Sequence, residues 1–266
     1  MQKYEKQIQI NLAKICVKAN SFEETVKIMK ELILKDNSIQ FSVEERDLLF
    51  DNWKNLINTR RNSWQIVSEI EQNELNLGNF EKVKLVQELR VKIEKELSEI
   101  INEIFGILDN YLIPNSILEE SRVFYLKLKG DFYRYKAEFL REEERKQASE
   151  LGLKSYEKAR EIAEQVLHTS HPTRLSLALN YSVFCYEILN HPDQAQQIAK
   201  KAFDEAVIQM DSLSKKFYND SNLILQLLRD NLRFWSKKIN VVDDFLPSND
   251  ESSNSNSDSD SDSNSN

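Results

Sequence analysis

The chain has 266 residues, 40% hydrophobic and 30% charged, which suits one large domain or two small ones; four Gly and four Pro are too few for a many-turned β protein, and two distant cysteines, Cys16 and Cys185, make no disulfide framework. Of the net charge of −8, seven units lie from Asp243 onward, where seven acids meet no Lys or Arg, so residues 1–242 carry the remaining −1. A near-neutral body with an acidic tail argues against a nucleic-acid-binding protein, which would show a basic stripe or a net positive domain, no apolar run is long enough to span a bilayer, and the N-terminal MQKYEKQIQINLAK has no signal-peptide core.

Helical periodicity runs through almost the whole chain. Ile8, Leu12, Ile15 and Cys16 mark a first helix near residues 4–18. Ser21 followed by Glu24 reads as a capping box for a second helix, with Phe22, Val26 and Met29 as its apolar face. Ser42 with Glu45 reads as another, opening a long third helix through Trp53 and Trp64 to about Leu77, where Gly78 and Asn79 break it. A fourth helix runs from Phe80 to about Tyr111 and is stopped by Pro114; a fifth covers Val123–Phe139. A sixth passes through Tyr156, Ala159, Ile162, Ala163 and Val166, with residues 141–150 either its solvated start or a loop. Pro172 and Pro192, each after a His, suit the first turn of a seventh and an eighth helix. A ninth spans about Phe217–Lys238. Short connections make neighbours antiparallel. The expectation is one all-α domain of nine antiparallel helices over residues 1–242. Residues 243–266, rich in Ser, Asn and Asp and almost without apolar residues, are expected to form a disordered acidic tail.

Four helices carry stripes that a simple core would not need. Lys54 and Arg61 lie two turns apart on the third helix, and Lys127 and Arg134 repeat the spacing on the fifth, with Tyr135 beside Arg134 and Asp131 one turn before Tyr135. Gly130, in the middle of that helix, costs about 1 kcal/mol relative to Ala and implies close packing. Asn180, Val183 and Glu187 share a face of the seventh helix; Leu223, Leu227, Asn231 and Trp235 share one of the ninth. If the four faces line one groove, it has a cationic wall and an apolar wall. Arginine forks, a lysine and a phenol suit a phosphate ester with its charge of about −1.5 to −2 and three acceptor oxygens. An Asn amide carries both a donor and an acceptor, so it can clamp an extended peptide backbone without reading its sequence. The bland readings are a solvated face for the basic pairs and plain core for the Leu/Trp stripe.

The segments RRNSWQIVSEIEQ (60–72), VFYLKLKGDFYRYKAEF (123–139), HPTRLSLALNYSVFCYEILN (171–190), AFDEA (202–206) and YNDSNLILQLLRDNLRFW (218–235) closely resemble the 14-3-3 family, in order and over nearly all of the body. The resemblance implies an all-helical, cup-shaped dimer whose groove binds phosphoserine or phosphothreonine peptides of client proteins, with no cofactor or metal. By motif, Lys54, Arg61, Arg134 and Tyr135 would form the phosphate pocket, and Asn180 and Asn231 the backbone clamps. Lys127, Leu179, Val183, Glu187, Leu223, Ile224, Leu227 and Trp235 would be the remaining lining. Where the family usually reads RNLLSVAYKN, this chain reads RDLLFDNWKN: Asp47, Phe50 and Asp51 replace Asn, Ser and Val, and Ser176 replaces a Gly. Phe50, Asp51 and Ser176 are expected near the groove end that takes residues following the phosphate.

Homodimers, or heterodimers with other 14-3-3 chains, are implied, through an apolar patch of Ile8, Leu12 and Ile15. At that seam Ser21 stands for an Arg and Leu89 for a Tyr, leaving Glu24, Lys92 and Glu96 as salt-bridge candidates and a weakened dimer as the expectation. Ser63 follows Arg60 and Arg61, as a basophilic kinase site would, and a phosphate there would oppose dimerisation. A cytoplasmic setting, extending to the nucleus, follows from the family. The sequence supports no enzyme reading: it has no phosphate-cradling Gly-rich loop, H-E-x-x-H or C-x-x-C, and His168, His171 and His191 sit at helix ends. The alternative is a helical scaffold or oligomerisation protein without phosphate-dependent binding; it would give no reason for both asparagines and the cationic stripes. In the tail, Ser248, Ser255, Ser257 and Ser259 each have an acid three residues on, and the segment is expected either to be inert or to compete for the cationic wall.

Overall fold

A computed structural model describes residues 3–36, 38–209 and 215–244. Among them the chain is helical, with no strand: α1 (Lys3–Lys18), α2 (Phe22–Lys35), α3 (Val43–Asn76), α4 (Phe80–Ile107), α5 (Glu119–Phe139), α6 (Glu142–Val166), α7 (Pro172–Glu187), α8 (Pro192–Gln209) and α9 (Lys215–Asp244). A single π-type turn, Leu108–Leu112, ends α4 ahead of Pro114. Residues 141–150 are therefore helix start rather than loop, and α9 runs two residues into the segment assigned above to the tail. The remainder of the tail, including Ser248, Ser255, Ser257 and Ser259, lies outside the described residues.

Local chemistry sets most of the boundaries. At Ser42 the capping box forms as read: the Glu45 N–H donates to Ser42 Oγ at 3.3 Å and the Ser42 N–H to Glu45 Oε2 at 2.9 Å. Gly78 adopts φ +73° after α3, a left-handed conformation that Gly accepts without strain. Pro172 occupies the first turn of α7, and the neutral His171 ring caps it by accepting from the Thr173 N–H at 3.2 Å. Burial holds that imidazole below its usual range, which keeps the accepting nitrogen unprotonated. The box at Ser21 does not form. Ser21 sits at ψ 73° rather than fully extended, and its side chain makes no cap bond. Its carbonyl accepts instead from Thr25 Oγ1 at 3.0 Å, while Glu24 pairs with Lys27 at 3.5 Å.

Helices adjacent in sequence pack as antiparallel pairs, α1 with α2, α3 with α4, α5 with α6 and α7 with α8, and α7 is flanked by α5 and α9. Among the described residues there are two apolar cores. One joins α1–α4 to one side of α5 around Leu49, Trp53, Leu97, Ile101 and Phe132. The other joins the opposite side of α5 to α6–α9 around Tyr156, Tyr181, Phe184 and Leu228. The fifth helix is thus the shared wall, and Gly130 is where it is thinnest. A Cβ built there would lie 2.8 Å from three atoms of the Tyr156 ring. That ring cannot retreat easily, because it stacks on Tyr181 at 5.4 Å and meets Phe184 at 5.2 Å. Overpacking of this kind costs about 1–3 kcal/mol, more than the roughly 1 kcal/mol of helix propensity that Ala gains. Gly130→Ala should therefore lower the urea midpoint by the equivalent of up to about 2 kcal/mol; a raised midpoint would show that Tyr156 has room to move.

Candidate phosphopeptide groove

Asp131 is the centre from which the site is built. It is 1% exposed, and burial by itself would raise its carboxyl. The charges of Lys127 and Arg134 and a hydrogen bond from Tyr156 outweigh that, so the group is held below its ordinary value. Lys127 Nζ donates to Asp131 Oδ2 at 3.0 Å from one turn earlier on α5, Tyr156 Oη donates to Oδ1 at 2.6 Å from α6, and Asn180 Nδ2 donates to both oxygens at 2.9 Å from α7. One carboxylate thus ties three helices together and orients two of the expected groove residues. Sequence reading noticed Asp131 but gave it no role; its spacing of four from Lys127 and three from Arg134 was the available signal.

The four phosphate-pocket candidates converge. The guanidinium carbons of Arg61 and Arg134 lie 4.3 and 4.7 Å from the centre of the Tyr135 ring, so one aromatic ring organises cations from two helices. Arg61 is fixed by a bidentate pair with Glu138, at 2.8 and 2.7 Å, and by Asn58 Oδ1 at 3.1 Å. Burial leaves Glu138 raised despite the Arg61 charge. Arg134 is held loosely, 3.5 Å from Glu187 and 3.9 Å from Glu138, and its buried Nε has no hydrogen-bond partner among the described residues. Lys54 is likewise held at 3.4 Å by Asp51. The Tyr135 hydroxyl makes no hydrogen bond among the described residues, and burial, then the Asp131 charge, keep it protonated.

These ion pairs fall into two kinds. The tight ones use carboxylates that are buried or largely covered, Asp131 and Glu138, at 2% and 18% side-chain exposure. The loose ones use mainly exposed carboxylates, Asp51 and Glu187, at 64% and 51%, the 3.9 Å contact of Arg134 with Glu138 being the exception. An incoming dianion can displace the second kind while the first holds the cations in place. Beside Arg61 and Glu138 opens a cavity of about 410 Å³, also lined by Trp64, Arg145 and Glu187.

The apolar wall is mixed. Leu179, Val183 and Ile224 are half-buried, and Leu223 and Leu227 are exposed. Trp235 belongs to the core, 3% exposed and stacked on Tyr186 at 5.0 Å, so it supports the wall from behind, as the plain-core reading had it. Asn231 keeps its amide free of hydrogen bonds among the described residues, whereas Asn180 spends its amide nitrogen on Asp131 and is left with Oδ1 as its acceptor. Phe50 does not reach the groove. It is fully buried, 5.3 Å from Trp53 and 5.8 Å from Phe124 by ring centres, because the apolar core of α3 claims that face. Asp51 does face out, and Ser176 Oγ turns back to the Thr173 carbonyl at 3.1 Å.

At the other end of the chain, Ile8, Leu12, Ile15 and Leu89 are exposed at 44–61%. Glu96 already pairs with Arg60 at 2.9 Å, Lys92 is exposed, and Ser63 Oγ donates to the Thr59 carbonyl at 3.1 Å.

A sequence profile described as 14-3-3 protein matches residues 12–236. The chain is 50% identical over 230 residues to 14-3-3-like protein B of Hordeum vulgare, covering 86% of this chain and 88% of that one. It is 50% identical over 227 residues to 14-3-3-like protein A of Vicia faba, covering 85% and 87%. Identity is 47% over 235 residues to 14-3-3 protein 7 of Solanum lycopersicum, covering 88% and 92%. With an all-helical architecture and a profile match spanning both cores, this chain belongs to the 14-3-3 family.

Proposed function

We propose that this chain is a phosphoserine/phosphothreonine-peptide-binding adaptor that docks phosphorylated clients in the groove between α3, α5, α7 and α9. The observation that carries the reading is the pair of guanidiniums packed against the Tyr135 ring, together with a lysine and an arginine that are held by the exposed carboxylates Asp51 and Glu187 at no less than 3.4 Å. A phosphate dianion offers Arg134, Lys54 and the Tyr135 hydroxyl better acceptors than Glu187 and Asp51 do. Asn231 and the Oδ1 of Asn180 would hold the peptide backbone, and Leu223 and Leu227 would take side chains. The body acts by binding and not by catalysis, and two copies joined through the exposed Ile8, Leu12, Ile15 and Leu89 would present two grooves, raising avidity for doubly phosphorylated clients by about 10²–10⁴. In the family's manner it would work in the cytoplasm and nucleus; among the described residues no helix is long and apolar enough to cross a membrane.

Titration of matched peptides tests this. The phosphorylated member of each pair should bind at least about 30-fold more tightly, since losing one side of a desolvated charge pair costs about 2–5 kcal/mol. Equal binding of both members would instead favour a scaffold without phosphate recognition.

A further inference from the structure

Along α3, Asp47, Asp51, Lys54, Asn58 and Arg61 follow one another at spacings of four and three, so they form a single stripe facing one way. Its cationic end is the proposed phosphate site, and its acidic end begins at Asp51. The Asp51 carboxylate is 64% exposed and has one ion-pair partner, Lys54, at 3.4 Å. One turn before it, Asp47 is half-buried, and its carboxyl is raised by burial and then by the Asp51 charge, so the two acids repel. Asp51 is thus held by one long contact to a lysine that a phosphate would claim.

Resting on the phosphopeptide reading above, we propose that Asp51 is a specificity-determining residue that selects phosphopeptides carrying Lys or Arg one or two positions from the phosphorylated residue. The selection works by exchange of partners. When a phosphate takes Lys54, Asp51 loses its counter-ion and is left about one helical turn from a dianion. A neutral peptide leaves that repulsion standing, whereas a basic side chain removes it by pairing with Asp51. The distances agree: residues three apart on a helix are separated by about 4.5 Å along its axis, and an extended peptide advances about 3.3–3.6 Å per residue. A side chain one or two residues from the phosphate therefore reaches Asp51, and one four or more residues away does not.

The experiment is fluorescence anisotropy with otherwise neutral phosphoserine peptides bearing a single Arg at each position from four before to four after the phosphoserine, alongside unphosphorylated copies. The variants are Asp51→Asn and Asp51→Lys, with circular dichroism to confirm folding. Arg within two residues on one side of the phosphoserine should tighten binding to the unaltered protein about three- to fivefold at low salt, the scale of an exposed charge pair, and less at high salt. Asp51→Asn should lose that gain and bind the neutral phosphopeptide more tightly, because Lys54 is released. Asp51→Lys should invert the preference, favouring Glu over Arg at the same position, which a merely structural role for Asp51 would not produce. The proposal is overturned if the position of Arg makes no difference, or if Asp51→Asn keeps the gain. Should phosphorylated and unphosphorylated peptides bind alike, the phosphopeptide reading fails first and takes this one with it.

Discussion

Lys54→Glu is expected to abolish phosphopeptide binding while leaving the helical circular dichroism unchanged. The side chain is one-third exposed and its partner, Asp51, is an exposed residue of its own helix, so the fold does not depend on it. The substitution removes one cation from the pocket and puts a carboxylate near both Asp51 and the incoming phosphate. Loss of one member of a desolvated pair costs about 2–5 kcal/mol, or roughly 30- to several-thousand-fold in affinity, and like-charge repulsion adds to it. Lys54→Gln should fall between the two. Titration calorimetry against one phosphopeptide measures all three proteins; undiminished affinity in Lys54→Glu would remove Lys54 from the pocket.

Asp131→Ala should damage fold and groove together. It would leave Lys127, 7% exposed, as a buried cation without a counter-ion, and would strip acceptors from Tyr156 and Asn180. Breaking a buried pair from one side costs about 3–5 kcal/mol, a large share of a domain's stability. Asp131→Asn, which keeps an acceptor for Tyr156 but no charge, should cost less. The pH dependence has a definite sign. Because the folded state holds the Asp131 carboxyl below 3.8, its contribution is present above that pH and is lost as pH falls through the depressed folded value. Urea denaturation from pH 7 to 3 should show Asp131→Asn losing less stability on acidification than the unaltered protein. A midpoint shift of under about 1 kcal/mol for Asp131→Ala would mean that Lys127 finds water or another partner.

Several parts of this molecule were settled within a few residues of sequence. The start of α3 at Ser42, the first-turn prolines of α7 and α8 and the break at Gly78 each follow from an interaction that closes over one helical turn, and all stand where the pattern put them. The cationic and polar stripes were legible for the same reason, since period alone fixes which residues share a face. Period does not say which of two faces a neighbour will cover, or at what distance. Tertiary structure decided that Phe50 and Trp235 go inward, the first into the aromatic cluster under α3 and the second onto Tyr186. It decided that the Ser21 box stays open, because the turn from α1 holds Ser21 short of an extended ψ. It also made Asp131 the hub, since the Asn180 amide reaches it from 49 residues away and the Tyr156 hydroxyl from 25, the Tyr156 ring lying in the space that Gly130 leaves on α5. The sequence placed cations on faces; only the packing of α5 against α3, α6 and α7 decided which of their carboxylate partners are covered and hold the pocket's shape and which stay exposed, where a ligand can replace them.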